Sequence, residues 1–181
     1  MLYHGSSEKI IRPDLEKCKD GNDFGKGFYL TTDKSQAESF ARTTVRRKII
    51  RKEISCEAKT GYVSSFVFHD SKNLGIFEFE KADVNWLHCV CAHRMRSLFS
   101  GVVSEYMQYD VIAGKIANDR TNPTLTLYIG GAFGSPGSAE ADDMAVRLLL
   151  PEVLTNRLCF RTENGIGCLE WICSEEISYE K

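Results

Sequence analysis

The chain has 181 residues, 43% of them hydrophobic and 27% charged, with a formal net charge of −2. These values fit one soluble domain, spanning residues 1–181, with a core of its own, and exclude a global field that would draw it to nucleic acid or membrane. No stretch approaches the roughly 18 apolar residues of a membrane span, and the opening MLYHGSSEKI has no basic region leading into an apolar run, so neither a membrane contact nor a secretory leader is expected.

Taken in chain order, LYHGS reads as a short strand ending in a glycine turn. IIRPDL follows, and Pro13 blocks a helix there. KCKDGND is a polar loop, and GKGFYLTT ends as a strand of aromatic and β-branched residues. Thr32 or Asp33 is placed to cap a helix over residues 33–47, with Ala37, Phe40, Ala41 and Val45 on one face. The run RRKIIRK, residues 46–52, is a solvated surface or a contact for an anionic partner. GYVSSFVFHD and LGIFEFEK are strand candidates. Asp83 caps a helix carrying the apolar stripe Trp86, Leu87, Val90 and Cys91. YDVIAGKIA, residues 109–117, is a buried strand, and TNPTLTLYIGG fits either a strand or a short helix. GGAFGSPGS is a loop, Ser138 starts a helix that Pro151 ends, RLCFRT is a strand, and GIGCLEWI is a short helix. Strands and helices do not alternate regularly, so the expected class is α+β rather than a doubly wound sheet.

The seven cysteines, an odd number, form no CxxC pair. Cys89 and Cys91 have poor spacing for zinc, while Cys159, Cys168 and Cys173 sit in apolar settings and read as small core residues. Reduced thiols and the missing leader make a cytoplasmic location the expectation. His88 and His93 stand five apart on a helix, not the four that puts two ligands on one face, so no metal site is expected.

Two segments carry chemistry. In LYHGS, a histidine beside a glycine at a strand end presents one ring nitrogen while the chain turns, and Ser6 adds a hydroxyl. In DFGKGFYLTTDKSQAESFA, Gly25 and Gly27 let the backbone pass close to a ligand, and Tyr29 offers a flat face. Phe40, eleven residues on, can return over it across a strand, a turn and two helical turns. Two aromatic faces beside a slot suit a planar ring; the plain alternative is that Phe28, Tyr29 and Phe40 are core.

These segments resemble the NAD-binding core of the ADP-ribosyltransferases, in the poly(ADP-ribose) polymerase and diphtheria-toxin branch with its His–Tyr–Glu signature. More closely, the chain resembles a bacterial ADP-ribosyltransferase-like family, DUF3990, which shares HGS (His4–Ser6), DFGKGFYLT (Asp23–Thr31), a WL…R helix (Trp86–Arg94), YDVIAG-x-x-A-x-D (Tyr109–Asp119) and a late C-F-x-T-E strand (Cys159–Glu163). The resemblance implies a split β-sheet core with flanking helices and NAD as substrate, without a metal. His4 would bond the nicotinamide ribose and Gly5 the carboxamide. Tyr29 and Phe40 would sandwich the nicotinamide. Ser6, Asp23, Phe24, Gly25, Lys26, Gly27 and Phe28 would complete the slot. Ala37 falls where the polymerases carry a carboxamide-binding serine, and Arg157 falls where they carry the catalytic glutamate. Glu163, Glu105 and Asp119 are other carboxylates, with no motif behind them.

The implied activity is mono-ADP-ribosylation of a protein or nucleic-acid acceptor, in the setting of a toxin paired with a small antitoxin protein. Two alternatives stand beside it: a catalytically silent NAD- or ADP-ribose-binding module, and an NAD glycohydrolase.

Overall fold

The computed structural model of the chain describes residues 1–58, 60–115, 121–149 and 156–179. The strands are β1 (Leu2–Ser6), β2 (Phe28–Thr31), β3 (Thr60–Phe68), β4 (Ile76–Glu78), β5 (Val111–Lys115), β6 (Asn156–Phe160) and β7 (Leu169–Ser178). The helices are α1 (Lys34–Ile50), α2 (Val84–Arg94), α3 (Val102–Glu105), α4 (Asn122–Ile129), α5 (Ala139–Leu149) and α6 (Glu163–Gly167). The fold is mixed α+β, as its irregular element order implies. The strands form one sheet in the order β4-β5-β6-β2-β1-β3-β7. β4 and β5 run parallel, and the remaining neighbours are antiparallel.

Local chemistry accounts for most boundaries. Asp33 accepts from the Gln36 N–H at 3.2 Å and starts α1, and Asp83 accepts from the Trp86 N–H at 3.0 Å and starts α2. The ambiguous TNPTLTLYIGG is a helix, with Pro123 in the first turn, where its missing N–H costs nothing. The end of the strand expected over 109–117, the helix stop at Pro151 and the carboxylate Asp119 lie outside the described residues.

The C-terminal expectation needs correction. GIGCLEWI is helical only through Gly167, where α6 stops, and Leu169–Ser178 is a ten-residue strand on the sheet edge. Most of its side chains are exposed, so it lacks the apolar alternation that reveals a half-buried strand. Cys173 on this strand is consequently exposed and Cys168 only half-buried, whereas Cys159, Cys89 and Cys91 are in the core.

The sheet has its helices in two groups. Cross-strand partners share a face. Tyr3 faces Thr31, Thr31 faces Arg157, and Cys159 faces Ile112, so these residues lie on one side. On that side α1 packs Ala37 and Ala41 against Tyr3, Val63 and Ile177. Further along, α2, α4 and α5 pack Trp86, Val90, Leu125 and Ala145 into one cluster with Ile112 and Cys159. Buried Asp142 ties this group together, accepting from the Tyr128 hydroxyl and bonding His88 Nε2 at 2.8 Å. The opposite side is closed by Leu2, Phe28, Leu30, Phe66, Phe160 and Ile166. Between the two helical groups lie half-buried Tyr29 of β2 and Arg157 of β6.

The seat of α1 is set by Gly5. A Cβ there would lie well inside contact with the Ala37 carbonyl oxygen, 2.8 Å from Ala41 N and 2.9 Å from Ala37 C. The glycine therefore serves helix–strand packing on its α1 side. Gly5→Ala must push α1 off β1, and we expect a loss of about 2 kcal/mol or more, read as a lower urea midpoint at unchanged m-value. An unchanged midpoint would show that α1 is not seated this closely.

Candidate active site

β1 and β2 meet at one register pair, Tyr3 with Thr31, and then separate. Continuing that register would place Gly5 opposite Tyr29. Instead the Tyr29 carbonyl takes the His4 ring, with Nδ1 2.8 Å away. A carbonyl only accepts, so Nδ1 carries the proton and Nε2 presents a lone pair. The ring lies on Phe28, with centroids 4.4 Å apart. Burial holds His4 well below 6.5, at about 4; the Tyr29 carbonyl opposes this shift, and the Arg157 cation adds to it. His4 is thus a neutral acceptor at pH 7.

Tyr29 is fixed by its hydroxyl, which donates to the Gly25 carbonyl at 2.7 Å and accepts from the Phe24 N–H at 3.0 Å. Burial raises its phenol well above the usual value, so it stays protonated. With the hydroxyl committed to the loop, the ring face is what remains for the cleft. Arg157 lies over that face, its guanidinium carbon 5.3 Å from the Tyr29 centroid. The same carbon is 5.5 Å from the Phe40 centroid. Both distances are within cation–π reach. Tyr29, Phe40 and Arg157 are thus brought together from β2, α1 and β6, while His4 sits on the Phe28 side of the sheet, tied to them through the Tyr29 carbonyl and the field of Arg157. Phe40 is not part of the apolar face of α1: it is 42% exposed, while Ala37, Ala41 and Val45 are buried. The eleven-residue return of a second ring does occur, but the group between the rings is the chain's own guanidinium.

The other expected slot residues are placed differently. Phe24 is fully buried and stacks on Phe79. Asp23 is 4% exposed, and one carboxylate oxygen accepts from Arg94 Nε at 3.1 Å and Nη2 at 2.6 Å. Ala37 is buried against Gly5, so its methyl belongs to the α1 contact. Phe28 is core and backs His4. Gly27 packs on β6, where a Cβ would lie 2.5 Å from Cys159 Sγ. Lys26 is exposed and points to a separate hollow of about 330 Å³ with Leu15, Tyr109 and Arg161. Ser6 Oγ accepts from the Glu8 N–H at 3.3 Å and shapes the turn after β1. Gly25 adopts φ +79°, and His93 fills the space where its Cβ would be, with Cδ2 2.5 Å away.

His93 is the residue that sequence reasoning missed. It is buried, bonded through Nδ1 to the Cys89 carbonyl at 2.9 Å, and wedged against the glycine loop. Its i, i+4 relation to Cys89 was the available signal. The other carboxylates are remote in role: Glu105 and Glu163 are exposed, on α3 and in the first turn of α6, and the α6 cap is Thr162. Among the described residues, no group of three or more His, Cys, Asp or Glu side chains is placed to hold a metal ion, and no helix is long and apolar enough to cross a membrane.

The shared motifs meet one another in space. Asp23 of DFGKG pairs with Arg94 of the WL…R helix, and the Trp86 indole N–H of that helix donates to the Lys115 carbonyl at 3.0 Å. Thr162, in the late strand motif, donates to Asp110 of the YD pair. A family described as proteins of unknown function, DUF3990, matches residues 1–171. The chain belongs to this family. No curated protein and no solved structure matches it. The family's motifs therefore do two jobs in this chain. Some of their residues tie the loops of the fold together, and Tyr29, with Phe40 of α1, faces the Arg157 guanidinium.

Two outcomes follow. Asp23→Asn leaves the Arg94 guanidinium half-buried and poorly compensated; breaking such a pair costs about 3 kcal/mol, and thermal unfolding should show it, whereas a shift under a degree or so would rule out the anchor. For His4, the lowered folded value means that the unfolded chain binds the extra proton between about 4 and 6.5. Its contribution to stability is complete above 6.5 and is lost as pH falls through that window. A histidine NMR titration should place His4 near the lower value and, in Arg157→Gln, higher. A normal titration in both would contradict the geometry.

Proposed function

We propose that this chain is an NAD-dependent mono-ADP-ribosyltransferase acting on a macromolecule. The observation that carries this reading is the planar cation held between Tyr29 and Phe40 beside the neutral His4 acceptor. The nicotinamide of NAD is also a planar cation, and aromatic faces attract it by the same quadrupole. In this reading the nicotinamide takes the place of the Arg157 guanidinium. His4 Nε2 accepts from a ribose hydroxyl, and the main chain of Gly5, which has no β2 partner, is available to the carboxamide. The C1′–N bond breaks, its electron pair leaves with nicotinamide, and the acceptor attacks C1′. The separation of β1 from β2 after one pair supports the split-sheet core of the ADP-ribosyltransferases as the fold behind this activity. The setting we favour is a bacterial toxin restrained by a small antitoxin protein, as the resemblance to that branch suggests.

A second reading has one observation in its favour. The third catalytic position carries a cation that already occupies the slot, which suits a silent NAD- or ADP-ribose-binding module.

Release of nicotinamide from NAD, measured with and without cell lysate, separates them. A transferase releases it and labels an acceptor; a silent module binds NAD in a calorimeter and releases nothing. Tyr29→Ala and Phe40→Ala should lower kcat/KM by about 10- to 100-fold, the weight of about 1–3 kcal/mol of ring contact. Tyr29→Phe, which keeps the face and loses only the loop bonds, should fall less. Full activity in both alanine variants would remove the slot from the mechanism.

A further inference from the structure

Arg157 stands where a transferase of this branch keeps a carboxylate, and its chemistry is opposite. A guanidinium is always protonated and only donates. It cannot take a proton from a hydroxyl nucleophile, nor orient one by accepting its hydrogen bond. Among the described residues the Arg157 side chain has no ion pair and no hydrogen bond; its guanidinium lies over the faces of Tyr29 and Phe40. The cation is half-buried, and its field reaches His4. A second cation, the nicotinamide, would enter this slot against it. An anion paired with Arg157 relieves that repulsion and uses the free donor fork.

The surface beside the slot indicates what carries the anion. α1 runs outward from Phe40, which is 42% exposed. Arg47, seven residues on, shares the Phe40 face of the helix and lies about 10 Å further along. Arg46 and Arg47 are exposed, whereas Lys34, Arg42 and Lys48 of the same helix pair with Glu175, Glu38 and Glu8. The exposed Arg47 on that face, with Arg46 beside it, is placed to meet the phosphates of a strand whose end reaches Arg157.

We propose, resting on the transferase reading, that the acceptor is a terminal phosphate of a single-stranded nucleic acid, held by Arg157. Such an oxygen is already anionic near pH 7, so no general base is needed, and a guanidinium replaces the carboxylate without loss of the reaction. The C1′–N bond of NAD breaks, and nicotinamide departs neutral with the electron pair. A phosphate oxygen lone pair forms the C1′–O bond, and no proton moves.

The test uses short single-stranded DNA and RNA oligonucleotides ending in phosphate at either end, or in hydroxyl at both. Without NAD, fluorescence anisotropy should show phosphate-ended strands bound about tenfold tighter than hydroxyl-ended ones, the scale of hydrogen bonds to a charged group. Arg157→Gln should abolish the difference. Arg46→Gln/Arg47→Gln should lower the slope of log affinity against log salt by about 1.4, two contacts at ~0.7 each. With labelled NAD, label should appear on phosphate-ended strands only. Equal affinity for the two kinds of end overturns the proposal. So does nicotinamide release with label on protein or in free ADP-ribose, an outcome that leaves a transferase or hydrolase standing. No release with any acceptor overturns the transferase reading and this proposal together, and a binding preference that survives it would mark a phosphate-reading module.

Discussion

The cleft depends on how closely α1 approaches β1. Gly5 has no side chain, so the backbone of Ala37 and Ala41 sits where a Cβ would be. That contact fixes the height and direction of the helix, and with them the position of Phe40, which lies between the two alanines. It also fixes what the middle of the sheet can do. β1 is held by α1 and β3, β2 is held by β6, and the two central strands share one register pair before they part. The opening that results is bridged by a side chain, His4, rather than by a further rung of the ladder.

A second layer of constraint holds the other wall. Tyr29 faces the cleft because its hydroxyl is captured by the Phe24–Gly25 backbone. That backbone is in turn anchored by Asp23 to Arg94 and packed by His93 against a left-handed Gly25. The loop is therefore held from both sides. An aromatic face with its polar end committed elsewhere is suited to receive a flat cation, and Arg157 demonstrates this with a group of the chain's own. The same residue helps keep His4 neutral.

Much of this was legible in the sequence, for physical reasons that can be named. The caps Asp33 and Asp83 were visible because N-capping is local chemistry. The buried stripe of α2 was visible because Trp86, Leu87, Val90 and Cys91 recur at the helical period. The segments carrying His4, Tyr29 and Phe40 stood out in the sequence, and the return of Phe40 toward Tyr29 is seen in their shared contact with Arg157. What misled was a motif's density: in DFGKGFY every residue looked like a slot residue, yet Asp23, Phe24, Gly27 and Phe28 serve the fold. The edge strand β7 was hidden because neither of its faces is consistently buried, so no period is imposed on it.

By itself, the sequence determined the class of the domain, the positions of most elements and the identity of the groups that can carry chemistry. All of these follow from local propensity, periodicity and the functional groups present. Only the tertiary structure decided which of those groups meet. Arg157 lies 128 residues from Tyr29 and 117 from Phe40 along the chain, and no local rule couples such separations. Their meeting is set by strand register, with Thr31 opposite Arg157, and by a glycine that lets one helix approach one strand.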